Sequence, residues 1–268
     1  MSKITNTDKW IQTMKISWSQ LTAYRLNFFL QIIGPSLVFF FIKYNLWSSI
    51  YSGEEGLIIQ GYNFNQMITY HAWNLVVSLI AGGYASHNLA EDIRLGRISS
   101  YLIYPFNFWE FHTASFFSFQ ILQTIISFIT ISLISLFGVI EFPSIYSLIQ
   151  GYIFCFIVSL MWFSLQYLTG ILSFWLEETW ILRVILQITA AFLSGAILPL
   201  ELYPSWFVEF LNYTPFPYLS YYPIKVFTGE VSLFTVGPLI ILAWMIFFVF
   251  INKIIWSRGM KLYTAAGM

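Results

Sequence analysis

The sequence predicts an all-α integral membrane protein with six transmembrane helices, an N-terminal interfacial amphipathic helix, and a re-entrant outer hairpin between spans five and six. Three observations predict it. Of the 268 residues, 58% are hydrophobic and only 9% are charged, whereas a soluble domain carries about a quarter charged residues. Apolar runs long enough to cross about 30 Å of hydrocarbon, at roughly 1.5 Å per residue, recur six times along the chain. The basic residues then fall almost entirely on one side of the alternation that these runs create.

Residues 1–25 form the first unit, an interfacial helix. Ile4, Trp10, Ile11, Met14, Trp18 and Leu21 recur at helical spacing against a face bearing Lys3, Lys9 and Lys15, the pattern of a helix lying in the membrane surface. The same lysines interrupt any apolar core that a signal peptide would need. Residues 26–268 form a single six-span transmembrane domain, with candidate spans near 26–48, 64–88, 107–140, 147–174, 180–199 and 233–256. Gly34 and Pro35 predict a bend in the first span. The third run exceeds one crossing, so its first turns, around Trp109 and Glu110, are expected at the interface.

Placing the N-terminus in the cytoplasm puts Lys3, Lys9, Lys15, Arg25, Arg94, Arg97, Arg183, Lys253, Arg258 and Lys261 inside. Only Lys43 and Lys225 fall outside. Both termini are therefore expected to be cytoplasmic, in a multi-pass protein of the plasma (inner) membrane. The outer loops hold Glu54, Glu55, Glu141, Glu201, Glu209 and Glu230.

Two segments depart from the plain apolar pattern. Residues 89–105, LAEDIRLGRISSYLIYP, concentrate Glu91, Asp92, Arg94 and Arg97 in one short amphipathic stretch. At the bilayer centre those charges would cost about 10 kcal/mol together, so the segment leaves the membrane and is open to a soluble partner. Ile93, Ile98, Tyr101 and Leu102 are expected to add apolar contact there, and Gly96 to permit close approach or a bend. Glu177 and Glu178 offer a second contact on the same side. Residues 199–230 carry Pro199, Pro204, Pro215, Pro217 and Pro223 among Trp206 and many tyrosines. That stretch is too apolar for an open loop and too broken for a crossing, so two short helices dipping into the outer leaflet are expected.

Other functions find little support. Zero net charge gives no basic surplus for nucleic acid. No GxxxxGK[ST] phosphate loop is present. His71, His87 and His112 show no metal-ligand spacing and read as packing residues, while the single cysteine, Cys155, lies inside an apolar run and reads as a small hydrophobe. No convergent catalytic set is visible, and the spans hold no mid-depth carboxylate of the kind an ion-coupled carrier uses. Polar residues within the spans, notably Asn74, Gln123, Thr124 and Gln187, are candidates for a substrate path.

The joint order of these segments resembles the membrane subunit of an ABC-2 type exporter, over nearly the whole chain. Glu91, Asp92, Ile93, Arg94, Gly96 and Ile98 resemble that family's first cytoplasmic loop. Leu198, Pro199, Leu200, Tyr203, Pro204, Pro217, Pro223 and Gly229 resemble its outer hairpin. The resemblance implies a permease that pairs with a second copy or a related permease and carries separate ATP-binding ABC subunits. Residues 89–105 would then be the coupling helix that docks on the ATPase, residues 199–230 the gate, and ATP and magnesium would be held by the partner rather than by this chain. It implies export, and the aromatic richness suits a hydrophobic or amphipathic substrate. A non-transporting scaffold or sensor would equally use the charged loop, but supplies no reason for the broken hairpin.

Overall fold

The structure, a computed structural model, describes residues 6–23, 25–52, 56–82, 87–103, 107–235 and 237–263. Expectations placed on Lys3, Ile4, Glu54, Glu55 and Pro105 lie outside these residues, as does that for the His87 side chain. Among the described residues the protein is helical, without a β-strand. In order the helices are α1 (Asn6–Ala23), α2 (Arg25–Tyr51), α3 (Phe64–Ala81), α4 (His87–Arg94), α5 (Ile98–Ile103), α6 (Phe108–Leu136), α7 (Ile145–Ile171), α8 (Trp180–Leu193), α9 (Ser205–Leu211), α10 (Tyr221–Phe227) and α11 (Pro238–Leu262).

Among the described residues, three segments, Phe108–Leu136, Ile145–Phe174 and Pro238–Leu262, are long and apolar enough to cross a membrane. The helix α2 is continuous through Gly34 and Pro35. The fifth run behaves differently from its expectation: a helix predicted over 180–199 stops at Leu193 after 14 residues, about 21 Å of rise. Gly195 then turns the chain with a φ of 80°, a conformation that a residue without a Cβ adopts at little cost.

Local chemistry fixes where the helices start. Asn63 and Gln66 form a reciprocal capping box at α3. Asn107 and Glu110 do the same at α6, satisfying two backbone donors that have no partner within the helix. Glu110 therefore has a structural task at the start of the third run. Ser144 caps α7 by accepting from Ser147 N–H.

The helix α7 is the axis of the fold and packs against α11, α10, α3 and α4, while α6 packs against α1 and α3. The principal core joins Trp73, Val76 and Ile80 of α3 to Phe154, Val158 and Met161 of α7, Phe227 of α10 and Ile241 of α11. The Trp73 and Phe227 rings stack at 5.2 Å. Gly151 makes this possible, because a Cβ there would lie 2.5 Å from the Phe227 ring. Small residues that admit a neighbour closely are a main source of helix cohesion where lipid removes the hydrophobic drive.

The first helix is held partly by polar contacts. Ser17 Oγ and Ser115 Oγ lie 2.9 Å apart, and Ser118 Oγ donates to the Met14 carbonyl at 2.8 Å. Ile11 and Ile16 remain exposed.

Candidate functional site

Two regions carry the residues that the sequence singles out, and they lie at opposite ends of α8. The first is the α4–α5 loop. Leu89 and Ile93 share a face of α4 and insert, with Ile98, into a cluster formed by Phe108, Phe116, Phe163, Tyr167 and Ile171. That packing corrects one expectation. Ile93 and Ile98 are buried inside this chain, and the Tyr101 ring packs against Phe108 and Phe111, so their apolar surface is spent internally. Among the described side chains of the loop, Leu95 is an exposed apolar one, at 47%, which sequence reasoning overlooked; the expectation placed on the Leu102 side chain lies outside the described residues.

Gly96 ends α4 with a φ of 72°, the left-handed conformation of a helix C-terminal glycine. Its carbonyl accepts from Ser99 Oγ at 2.8 Å and from Tyr263 Oη, beyond α11, at 2.6 Å. Bending, rather than close approach, is what this glycine provides.

The four charges divide by task. Asp92 is buried, and its carboxylate accepts from Arg97 Nη1 at 3.2 Å and Tyr101 Oη at 3.3 Å. Burial lifts the Asp92 carboxyl above its ordinary value, with Arg97 and Tyr101 only partly opposing it. Arg97 also pairs with Glu91 at 3.1 Å. Arg94 reaches across to Glu178, just before α8, at 2.8 Å with both side chains about half exposed. Thus one predicted second contact is joined to the first. Glu91, Arg94, Glu177, Glu178 and Arg183 line a shallow hollow of about 180 Å³ between them.

The second region is the hairpin. Its two helices, α9 and α10, are seven residues each, and proline sets their boundaries. Pro204 immediately precedes α9, and Pro217 opens the 3-10 turn before α10. Pro199, Pro215, Pro217 and Pro223 are buried, while Pro204 and Trp206 are exposed, Trp206 by 70%.

The elbow between α8 and the hairpin carries the densest polar wiring. The Ser194 carbonyl accepts from Tyr221 N–H at 3.0 Å, and that of Gly195 from Tyr70 Oη at 2.7 Å. The Ala196 carbonyl accepts from Asn74 Nδ2 at 3.3 Å and from the Lys43 ammonium. Asn74 Oδ1 in turn accepts from Ser220 Oγ at 2.5 Å. Lys43 therefore is a member of α2 that ties the elbow, beside His71 Nδ1 at 3.3 Å. His71 Nε2 accepts from Trp47 Nε1 at 2.8 Å.

Farther along the hairpin, Glu201 Oε1 accepts from Tyr62 Oη at 3.0 Å and Tyr221 Oη at 2.8 Å. Lys225 pairs with Glu201 at 3.1 Å and Glu230 at 2.6 Å. Burial alone would lower the Lys225 ammonium, but the bonds to Glu230 and Tyr62 and the field of Glu201 raise it overall.

The four candidate path residues do not converge through any hydrogen bond. Asn74 belongs to the elbow. Gln123 is buried with its Oε1 unpartnered among the described residues, Thr124 donates back to the Gln120 carbonyl of its own helix at 2.8 Å, and Gln187 is exposed on α8. Among the described residues no group of His, Cys, Asp or Glu side chains has the arrangement of a metal site. His112 is buried with neither ring nitrogen partnered among the described residues, and Cys155 is buried and unpaired.

Comparison with known proteins supplies the family. No curated protein matches the chain at a significant level. The model of the family described as ABC-2 family transporter protein matches residues 21–267, which take in every helix from α2 to α11 as well as both regions. The chain is a multi-pass membrane protein that belongs to the ABC-2 family of transporter proteins.

Proposed function

We propose that this chain is the permease subunit of an ATP-driven exporter whose substrate is hydrophobic or amphipathic. In this reading it crosses the plasma (inner) membrane six times with both termini cytoplasmic, counting α2, α3 and α8 with α6, α7 and α11. The helix α1 lies along the inner surface, and the hairpin dips into the outer leaflet. The chain itself is not an enzyme. ATP and magnesium are held by separate ATP-binding subunits, which family members generally work with, and a second copy or a related permease completes the membrane path.

The observation that carries the reading is the family match across 21–267. The geometry supports the assignment of residues 89–105 as the coupling segment. Its inner face is anchored by Leu89, Ile93 and Ile98, so the loop behaves as a firm platform presenting Glu91, Arg94, Leu95 and Arg97. Charge-assisted bonds from such a platform give orientation to a docked partner. ATP binding would close the ATPase pair, displace α4 and α5, and open a path beneath the hairpin.

The test is affinity purification of the tagged chain from its native membranes in mild detergent, with mass spectrometry of what stays bound. An ATP-binding subunit at near-equal stoichiometry is the expected result, and a second six-span protein beside it would indicate a heteromeric permease. Repeated purification with no ATPase would favour a non-transporting scaffold.

A further inference from the structure

The helix α8 is tied at both ends and only lightly held between them. Below it, Glu178 bonds Arg94 of α4 at 2.8 Å, and Trp180 begins the helix two residues later. Above it, the three carbonyls that follow the helix, those of Ser194, Gly195 and Ala196, are taken by donors from α10, α3 and α2. Along its 14 residues only Ala190 is buried, and Ile181, Ile185, Ile188 and Phe192 are exposed. An α-helix resists compression along its axis through its own hydrogen bonds, whereas a flank with little packing can slide by about 1–2 Å without tearing a core.

We propose that α8 is a strut that carries displacement of α4 to the hairpin, with Arg94 and Glu178 as its lower positioning pair and Lys43, Tyr70 and Asn74 as its upper clamp. The purpose of the strut rests on the permease reading, while its geometry does not. The two attachments differ in kind, as a strut requires. The lower one is an exposed ion pair that forms and breaks readily. The upper one is a set of bonds to backbone carbonyls, one of them from the buried Tyr70 hydroxyl, whose loss would strand those carbonyls. Movement applied at Glu178 is therefore delivered to the residues after Leu193 instead of being absorbed there.

The test uses the full chain in lipid nanodiscs without any ATPase. Leu211, fully buried on α9, is replaced by Leu211→Cys, and native Cys155, fully buried on α7, serves as the internal control. Labelling of each thiol by a membrane-impermeant maleimide is followed by peptide mass spectrometry. Arg94→Glu or Glu178→Arg alone should raise the labelling rate at position 211 about fivefold with Cys155 unchanged, and the double exchange Arg94→Glu with Glu178→Arg should restore it. Lys43→Met should also raise it, and should make it insensitive to the charge at 94 and 178. Unchanged labelling in both single variants, a double exchange that fails to restore the rate, or a parallel rise at Cys155 would each overturn the strut. Because no ATPase is present, such a failure would leave the co-purification result standing.

Discussion

The α4–α5 loop and the hairpin elbow each gather charged and polar side chains, yet they use them in opposite ways. In the loop, Arg94, Arg97, Glu91 and Glu178 pair with one another at half-exposed positions, where an ion pair contributes about 0–1 kcal/mol. At the elbow, Lys43, Tyr70 and Asn74 spend their donors on backbone carbonyls. Leaving a buried carbonyl unpaired costs about 1–3 kcal/mol. Side-chain pairs at a surface can exchange partners and therefore suit a docking face. Bonds to backbone fix a chain path and therefore suit an elbow that must hold its shape.

The largest expected effect comes from the core beneath the elbow. Gly151→Leu should lower stability by about 3 kcal/mol, because the new side chain collides with Phe227 and a packed core accommodates extra volume poorly. Thermal melting in detergent would check it, and an unchanged melting temperature would show that α10 is free to withdraw from α7. Next, Asn74→Leu removes both the donor to Ala196 and the acceptor of Ser220, and should cost about 2 kcal/mol. At the other end, Arg94→Glu should change stability by less than about 1 kcal/mol and yet abolish ATPase recruitment in the co-purification assay. If it melts as the Asn74 variant does, the contrast between the two regions fails.

The smallest effect is a pH dependence. Lys225 is raised in the fold, so its contribution is complete below the ordinary lysine value of 10.5 and is lost as pH climbs through the higher folded value. Asp92 is also raised. Its effect on stability is most favourable below the ordinary carboxyl value of 3.8 and is lost as pH rises through its folded value, so at neutral pH the ionised group bears a burial cost. Melting curves from neutral to strongly alkaline pH should show a steeper decline in the wild type than in Lys225→Met, because Tyr62 and Tyr221, also raised by burial, add a decline of the same sign to both. A decline of equal size in both would assign it to other groups.

Much of the architecture is written in local patterns. The apolar runs locate α6, α7 and α11, the prolines mark the broken hairpin, and Glu91, Asp92, Arg94 and Arg97 flag the loop before α5. Family resemblance, read from those same segments, agrees with the match over 21–267. What local pattern does not contain is the partner of each side chain. Lys43, within the first candidate span, counts only as an outer-side charge because nothing nearby reveals the Ala196 carbonyl 153 residues away. Ile93 and Ile98 read as open to a partner because their burying neighbours, Phe163 and Tyr167, belong to α7. The fifth apolar run reads as longer than α8 because apolarity continues through Ala196, Ile197 and Leu198, although the helix has already ended at Leu193. The first two misses are tertiary contacts that override what the neighbouring sequence offers, and the third is a local turn at Gly195.

The bond from Tyr263 to the Gly96 carbonyl spans 167 residues, and it has a temporal meaning. A chain made from its N-terminus completes α4 and α5 long before α11 emerges, so during synthesis the Gly96 turn waits with that partner missing. The turn gains that bond only once α11 has docked. A molecule in which α11 has not docked lacks that bond at the Gly96 turn.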